Sequence, residues 1–195
     1  DAAIDSILDA VESARDDGTD VRRLRCRIEH CSILHDGQIR RMRDLGIVPS
    51  FLINHVFYWG HVMRDQVFGP ENAQLLDRCH AVEEAGLTWV VHTDAPVSPL
   101  GSLHKIRVAV VRDLWKEPET ILAPRERVSV DAAIRAVTCN AAWACHSENE
   151  VGSLEPGKLA DFVVLEDDPR RVEPAAISRI KVSETWMDGA RVFAA

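Results

Sequence analysis

The chain has no stretch approaching the ~20 consecutive apolar residues that a membrane-spanning helix needs, which argues against a helical membrane protein. Cysteine is sparse: five residues in 195, namely Cys26, Cys31, Cys79, Cys139 and Cys145, odd in number and with no C-x-x-C pair. That pattern argues against a disulfide framework or a zinc ribbon and for reduced thiols in a cytoplasmic protein. Cations are in the minority, 23 Lys and Arg against 31 Asp and Glu, and the formal net charge of −8 disfavours a nucleic-acid partner, whose phosphates demand clustered positive charge. No G-x-S-x-G elbow, no complete G-x-x-x-x-G-K-[S/T] loop and no G-x-G-x-x-G turn occurs, which weakens serine-hydrolase, P-loop and dinucleotide readings. No two of the eight histidines stand at H-x-H or H-x-x-x-H spacing, so the paired imidazoles of a usual hydrolytic metal site are missing from this stretch. The sequence starts at Asp1 with no initiator Met and no charged-then-apolar segment, so a stretch ahead of it is expected to have been removed or left out.

What is present suffices for a core. At 195 residues and 46% hydrophobic content, the chain can hold one domain plus a small appendage and bury roughly 70% of its unfolded surface. Ile4, Ile7, Leu8, Val11 and Ala14 share one helical face, so the chain opens in a helix that lacks a lead-in strand. A unit then repeats, a β-type run followed by a helix. Arg22 to Glu29 reads as a strand, and Ile39, Met42 and Leu45 mark a helix stopped by Gly46. Ile47 to Ile53 is the next strand, followed by a long loop from Asn54 to Pro70. Leu75, Leu76, Cys79 and Val82 mark a helix stopped by Gly86, and Leu87 to Val91 is the third strand. A further helix carries Leu103 to Leu114, and Ser129 caps one running from Val130 to about Ala144. This alternation predicts the α/β class with a parallel sheet. Loops after the strands are long, whereas those after the helices shrink to a glycine, which places function at the strands' carboxyl ends.

Beyond residue 150 the grammar changes. Asp161 to Leu165, Lys181 to Met187 and Arg191 to Phe193 are short β-type runs, the last two flanking the hairpin signal Asp188-Gly189. Two parts follow: residues 1–150, α/β, and residues 151–195, a few antiparallel strands too small to be stable alone.

The candidate chemistry sits at strand ends. Leu87 to Val91 runs into His92-Thr93-Asp94-Ala95-Pro96, and a carboxylate delivered there needs a cation, a proton or a hydrogen-bond network. A metal ion is the sharpest candidate; a cap on the Pro-rich turn is the plain alternative. Arg27-Ile28-Glu29 closes in the same way on His30, an imidazole that suits zinc with carboxylate as companion, or else a structural histidine. On strands two apart in a parallel sheet, His30 and Asp94 can share one ion. His55, just past the second strand, and His92, two residues before Asp94, could orient a substrate carbonyl or support the ligands from behind. His35, His61, His80, His104 and His146 read as surface or local hydrogen-bonding groups. Cys31 adjoins His30, but neighbours on a strand face opposite ways, which makes a poor nucleophile and base pair.

Four stretches together resemble the metal-dependent amidohydrolases, in particular their YtcJ-like and AepA-like branch. They are Arg27-Ile28-Glu29-His30, Ser50-Phe51-Leu52-Ile53-Asn54-His55, His92-Thr93-Asp94-Ala95-Pro96, and the run from Gly152-Ser153-Leu154 through Gly157-Lys158-Leu159-Ala160-Asp161 to Leu165. The resemblance spans essentially the whole chain. It implies the carboxy-terminal part of a (β/α)8 TIM barrel, strands six to eight, followed by strands of a small β-sandwich. It also implies a metal ligand in His30, a metal-contacting proton shuttle in Asp94, and substrate contact by His55. The implied cofactor is a divalent metal, with zinc expected and one or two ions left open. The implied activity is hydrolysis of a non-peptide carbon–nitrogen bond in a small amide-type substrate. In the family the other metal ligands lie upstream, and Asp1 resembles the last residue of an H-A-x-G-D motif, so the chain is expected to be the carboxy-terminal portion of a longer enzyme. A catalytically silent fragment is the alternative, because two candidate ligands fall short of three. Open sheet edges would favour a homo-oligomer or pairing with the amino-terminal part.

Overall fold

The structure, a computed structural model, describes residues 1–195. Helix α1 (Ala2–Asp16) buries Ile4 and Leu8, the centre of its apolar stripe. Its acidic face is held by Arg41, which donates to Asp9 at 2.5 Å and Glu12 at 2.8 Å. A short helix α2 (Val21–Leu24) occupies the first half of the expected first strand, because Asp20 accepts from the Arg23 amide at 3.3 Å and Arg25 then turns left-handed. Strand β1 is therefore only Arg27–His30. Helix α3 (Asp36–Leu45) ends as expected at Gly46, φ 71°, before β2 (Val48–Phe51).

The expected long loop after β2 is instead wound. A π-helical turn (His55–Trp59), helix α4 (Gly60–Val62), a second π-helical turn (Met63–Val67), helix α5 (Gly69–Asn72) and a 3-10 turn (Ala73–Leu75) follow one another. Gly60 permits this close approach, since a Cβ there would lie 2.6 Å from a Leu114 methyl. Leu76 pairs with Ile33 in an isolated bridge, so only the second half of the next expected helix forms, as α6 (Cys79–Glu84). Strand β3 is Val90–Val91 and helix α7 is Ser102–Val111. Leu114, expected on that helix, lies in an antiparallel pair, β4 (Asp113–Leu114) with β5 (Glu117–Ile121). Ser129 caps α8 (Val130–Val137) by accepting from the Ala132 amide at 3.1 Å. The single helix expected from there to Ala144 breaks at Thr138, whose hydroxyl donates to the Ile134 carbonyl at 2.7 Å, and resumes as α9 (Cys139–Ala144).

β1, β2 and β3 form a parallel sheet with β2 central, in register from Arg27 opposite Val48 to His30 opposite Phe51, and from Ser50 opposite Val90. Every residue of β2 is buried, as expected for a sheet with helices on both faces. A mixed α/β fold with a parallel sheet is thus what the alternating pattern specifies. At the carboxyl terminus β6 (Phe162–Leu165), β7 (Val182–Met187) and β8 (Ala190–Ala194) form an antiparallel sheet, the last two joined through Asp188 and Gly189, both at positive φ. Gly152, φ 93°, packs this region onto α9: a Cβ there would stand 2.6 Å from that of Ala142 and 3.1 Å from the Cys139 Cα. Gly152 to Lys158 has P-loop spacing as far as its lysine, but Leu159 takes the hydroxyl position and Lys158 Nζ turns back onto Ser153 Oγ at 2.6 Å. No helix is long and apolar enough to cross a membrane.

Candidate functional site

The parallel sheet delivers its ionisable residues to one place. His30 is the last residue of β1, and His92 follows β3 directly, its amide donating to the Phe51 carbonyl of β2 at 2.9 Å. Asp94 lies two residues on, in a turn at φ 50°, a conformation Asp adopts more readily than most residues. The sequence places His30 and Asp94 on strands two apart, and in the fold His30 Nε2 stands 3.7 Å from Asp94 Oδ2. One donor atom each from His30, His92 and Asp94 lies within 4.8 Å of the others, a spacing that could enclose a metal ion. The geometry therefore adds His92 to the donor group, where pattern alone gave it a supporting or substrate-facing role.

His55 stands beside this trio and outside it. Its ring meets that of His30 edge-on at 5.9 Å between centroids, and His30 and His92 are 5.1 Å apart. Burial pulls the His55 pKa down to about 4, with the positive charge that His30 and His92 would carry adding to the effect. Burial likewise lowers that of His92, partly opposed by the Glu29 carboxylate, whose Oε2 is 4.0 Å from His92 Nε2. Both rings are therefore neutral near pH 7, the form in which imidazole binds metal or accepts a proton. His55 Nδ1 and His92 Nε2 are buried and have no hydrogen-bond partner in the protein. Burial without a partner is unfavourable for polar atoms, so these two nitrogens suit a group that comes from outside the chain. The donor set chemically suited to a borderline-soft divalent ion is the trio itself, His30 and His92 with the Asp94 carboxylate.

Asp94 is held by a buried strap that the sequence did not suggest. Asn54 Nδ2 donates to Ser98 Oγ at 2.8 Å, and Ser98 Oγ donates to the Thr93 carbonyl at 2.6 Å. All three residues are buried, so the loop after β2 and the loop bearing Asp94 move together. The only local signal was a serine set between Pro96 and Pro99. Of the remaining histidines, His35, His80 and His146 are exposed as expected, whereas His61 and His104 are half-buried. Cys31 is buried, its thiol donating to the Ile28 carbonyl at 3.2 Å and its pKa pushed up to about 12 by burial, which leaves it unsuited to nucleophilic attack.

Known proteins resemble this chain along nearly its whole length. The profile described as "Amidohydrolase family" matches residues 1–193. The chain is 32% identical over 189 residues to an N-substituted formamide deformylase of Arthrobacter pascens, covering 96% of this chain and 34% of that protein. It is 25% identical over 203 residues to the putative amidohydrolase YtcJ of Bacillus subtilis, covering 99% of this chain and 36% of that one. Among solved structures, an uncharacterized metal-dependent hydrolase from Pyrococcus furiosus superposes with a TM-score of 0.72 at 27% identity, over 88% of this chain and 32% of the other. The chain thus spans about a third of the length of these relatives.

Proposed function

The chain belongs to the amidohydrolase family, and from that membership we propose that it forms the carboxy-terminal share of a metal-dependent hydrolase acting on a non-peptide carbon–nitrogen bond, such as an amide, cyclic amide or formamide. The observation that carries this reading is the convergence of His30, His92 and Asp94 donor atoms within 4.8 Å at the carboxyl ends of β1 and β3. In this reading β1, β2 and β3 are strands six, seven and eight of a (β/α)8 barrel, and β6, β7 and β8 belong to a small β-sandwich. β1 and β3 each pair only with β2, which leaves edges for further strands of a full-size family member or of a second copy.

His30 and Asp94 would hold a divalent ion, zinc by choice of donors, with His92 as a third ligand. When bound, the ion supplies Lewis acidity toward a carbonyl and lowers the pKa of water toward ~7. Asp94 accepts the proton of the attacking water and returns it to the leaving nitrogen as the carbon–nitrogen bond breaks. His55, neutral and carrying a buried free Nδ1, contacts the substrate's polar atoms beside the ligands. The Asn54, Ser98 and Thr93 strap keeps the Asp94 carboxylate in place through that exchange.

The test is metal removal from the full-length protein. Chelation should abolish hydrolysis of an N-substituted formamide, and zinc should restore it in proportion to the metal bound. Full turnover by metal-free protein would overturn the reading.

A further inference from the structure

Glu29 stands immediately before the His30 donor on β1. Ile28 faces the core, so Arg27 and Glu29 turn to the other side of the strand. A regular strand would turn His30 away from Glu29, but His30 has left the pleat at φ 71°. The two neighbours therefore line one cavity, of about 240 Å³, together with Asp1, Ser32 and Phe68.

An Arg and Glu pair on a half-exposed strand is ordinarily worth little. Three observations set this one apart. The carboxylate is anchored, because Arg27 Nε donates to Glu29 Oε1 at 2.9 Å while Arg27 Nη1 donates to the Ala144 carbonyl at the end of α9, at 3.0 Å. The other carboxylate oxygen, Oε2, stands 4.0 Å from His92 Nε2. That nitrogen is buried and has no hydrogen-bond partner, and 4.0 Å is too long for Glu29 to supply one. What Glu29 offers at this distance is charge. Glu29 is also outside the group of His30, His92 and Asp94 donor atoms that lie within 4.8 Å of one another. An anionic group fixed beside a ligating imidazole and outside the ligand set favours a cation at that imidazole without touching it.

We propose that Glu29 is a positioning residue that retains the divalent cation of the site, acting through its charge beside His92 and not as a ligand. The inference rests on the metal-dependent reading and adds to it a residue that the donor trio omits.

The experiment titrates metal-free, full-length protein with zinc against a fluorescent chelator. Glu29→Gln keeps the shape and the Oε1 contact with Arg27 but removes the charge. The zinc Kd should rise by between about 10-fold and 100-fold, and Glu29→Asp, which keeps the charge on a shorter arm, should recover part of the loss. The unfolding midpoint of the metal-free protein should be nearly the same in all three, which a purely structural role would not allow. Cobalt, whose visible bands report its ligands, should keep its band positions in Glu29→Gln although it binds more weakly. Wild-type zinc affinity in folded Glu29→Gln overturns the inference and leaves the metal-dependent reading standing. So does a loss that Glu29→Asp shares in full, or a shift of the cobalt bands, which would make Glu29 a ligand. Wild-type protein that retains no zinc overturns both.

Discussion

Two polar sites in this molecule handle burial in opposite ways. Arg112, fully buried under α7, gives every arm of its guanidinium an acceptor: Nε to the Leu122 carbonyl at 2.9 Å, one terminal nitrogen to Asp77 O at 3.1 Å, the other to Leu76 O at 2.7 Å. It joins α7 to the segment entering α6 and to the strand end after β5. Just past the carboxyl ends of β2 and β3 the reverse holds, because His55 Nδ1 and His92 Nε2 are buried with no hydrogen-bond partner. Each such atom costs about 1–3 kcal/mol in a finished core. The difference separates a buried group satisfied from within, Arg112, from two nitrogens beside the His30 and Asp94 donors that the chain itself leaves without a partner.

Asp94→Asn in the full-length protein should separate the two most sharply. Asn fills the same turn at φ 50° and preserves the fold, but it cannot accept and return a proton. We expect kcat/KM to fall about 10³-fold, equivalent to about 4 kcal/mol of barrier, with the unfolding midpoint nearly unchanged. Wild-type turnover in the variant would remove Asp94 from the mechanism. Arg112→Met should do the opposite. It removes the only side-chain donor to the Leu76 and Leu122 carbonyls and one of two donors to the Asp77 carbonyl, which keeps the Cys79 amide at 2.8 Å, and should cost about 3 kcal/mol of stability, read as a lowered urea midpoint. Any loss of activity should then track the unfolded fraction, and a stable, inactive Arg112→Met would blur the distinction between scaffold and site.

The sequence made one side of this comparison more legible than the other. His30 and Asp94 stood out because a β-type run ended on each, and period-two alternation put His92 and Asp94 on one side. Gly46, Ser129 and Asp188-Gly189 marked their boundaries because capping and turn chemistry are local. Arg112 offered no such mark, since its three acceptors lie 10 to 36 residues away in sequence. The Asn54 to Ser98 bond, 44 residues apart, was hidden for the same reason. The π-helical turn at His55 was unreadable because it depends on Gly60 meeting Leu114 across the fold. Helix α2 went unread although its cap is local: Asp20 accepts from the Arg23 amide, and the β-type reading of Arg22 to Glu29 left no place for a helix there.

Asp77 is the exception that tests the comparison, with the smallest expected effect. It sits at Arg112's side, fully buried, yet neither carboxyl oxygen has a hydrogen-bond partner. Burial raises its pKa well above the usual 3.8, opposed by the charge of Arg112. A group whose pKa is raised by folding adds stability below its unfolded value and loses it as pH climbs through the folded one. Above the unfolded value near 3.8 the fold therefore carries a penalty, because it must either hold a proton that the unfolded chain releases or bury the charge. Asp77→Asn removes that requirement, keeps the shape and tolerates the backbone φ of 44°. The variant should melt about 3 °C higher than wild type at pH 7, and the gap should shrink as pH falls below 3.8, where the unfolded wild type takes up the same proton. A variant less stable at pH 7 would mean that Asp77 is ionised and serves Arg112 as counter-charge, making the nest an ion pair in place of a set of carbonyl contacts.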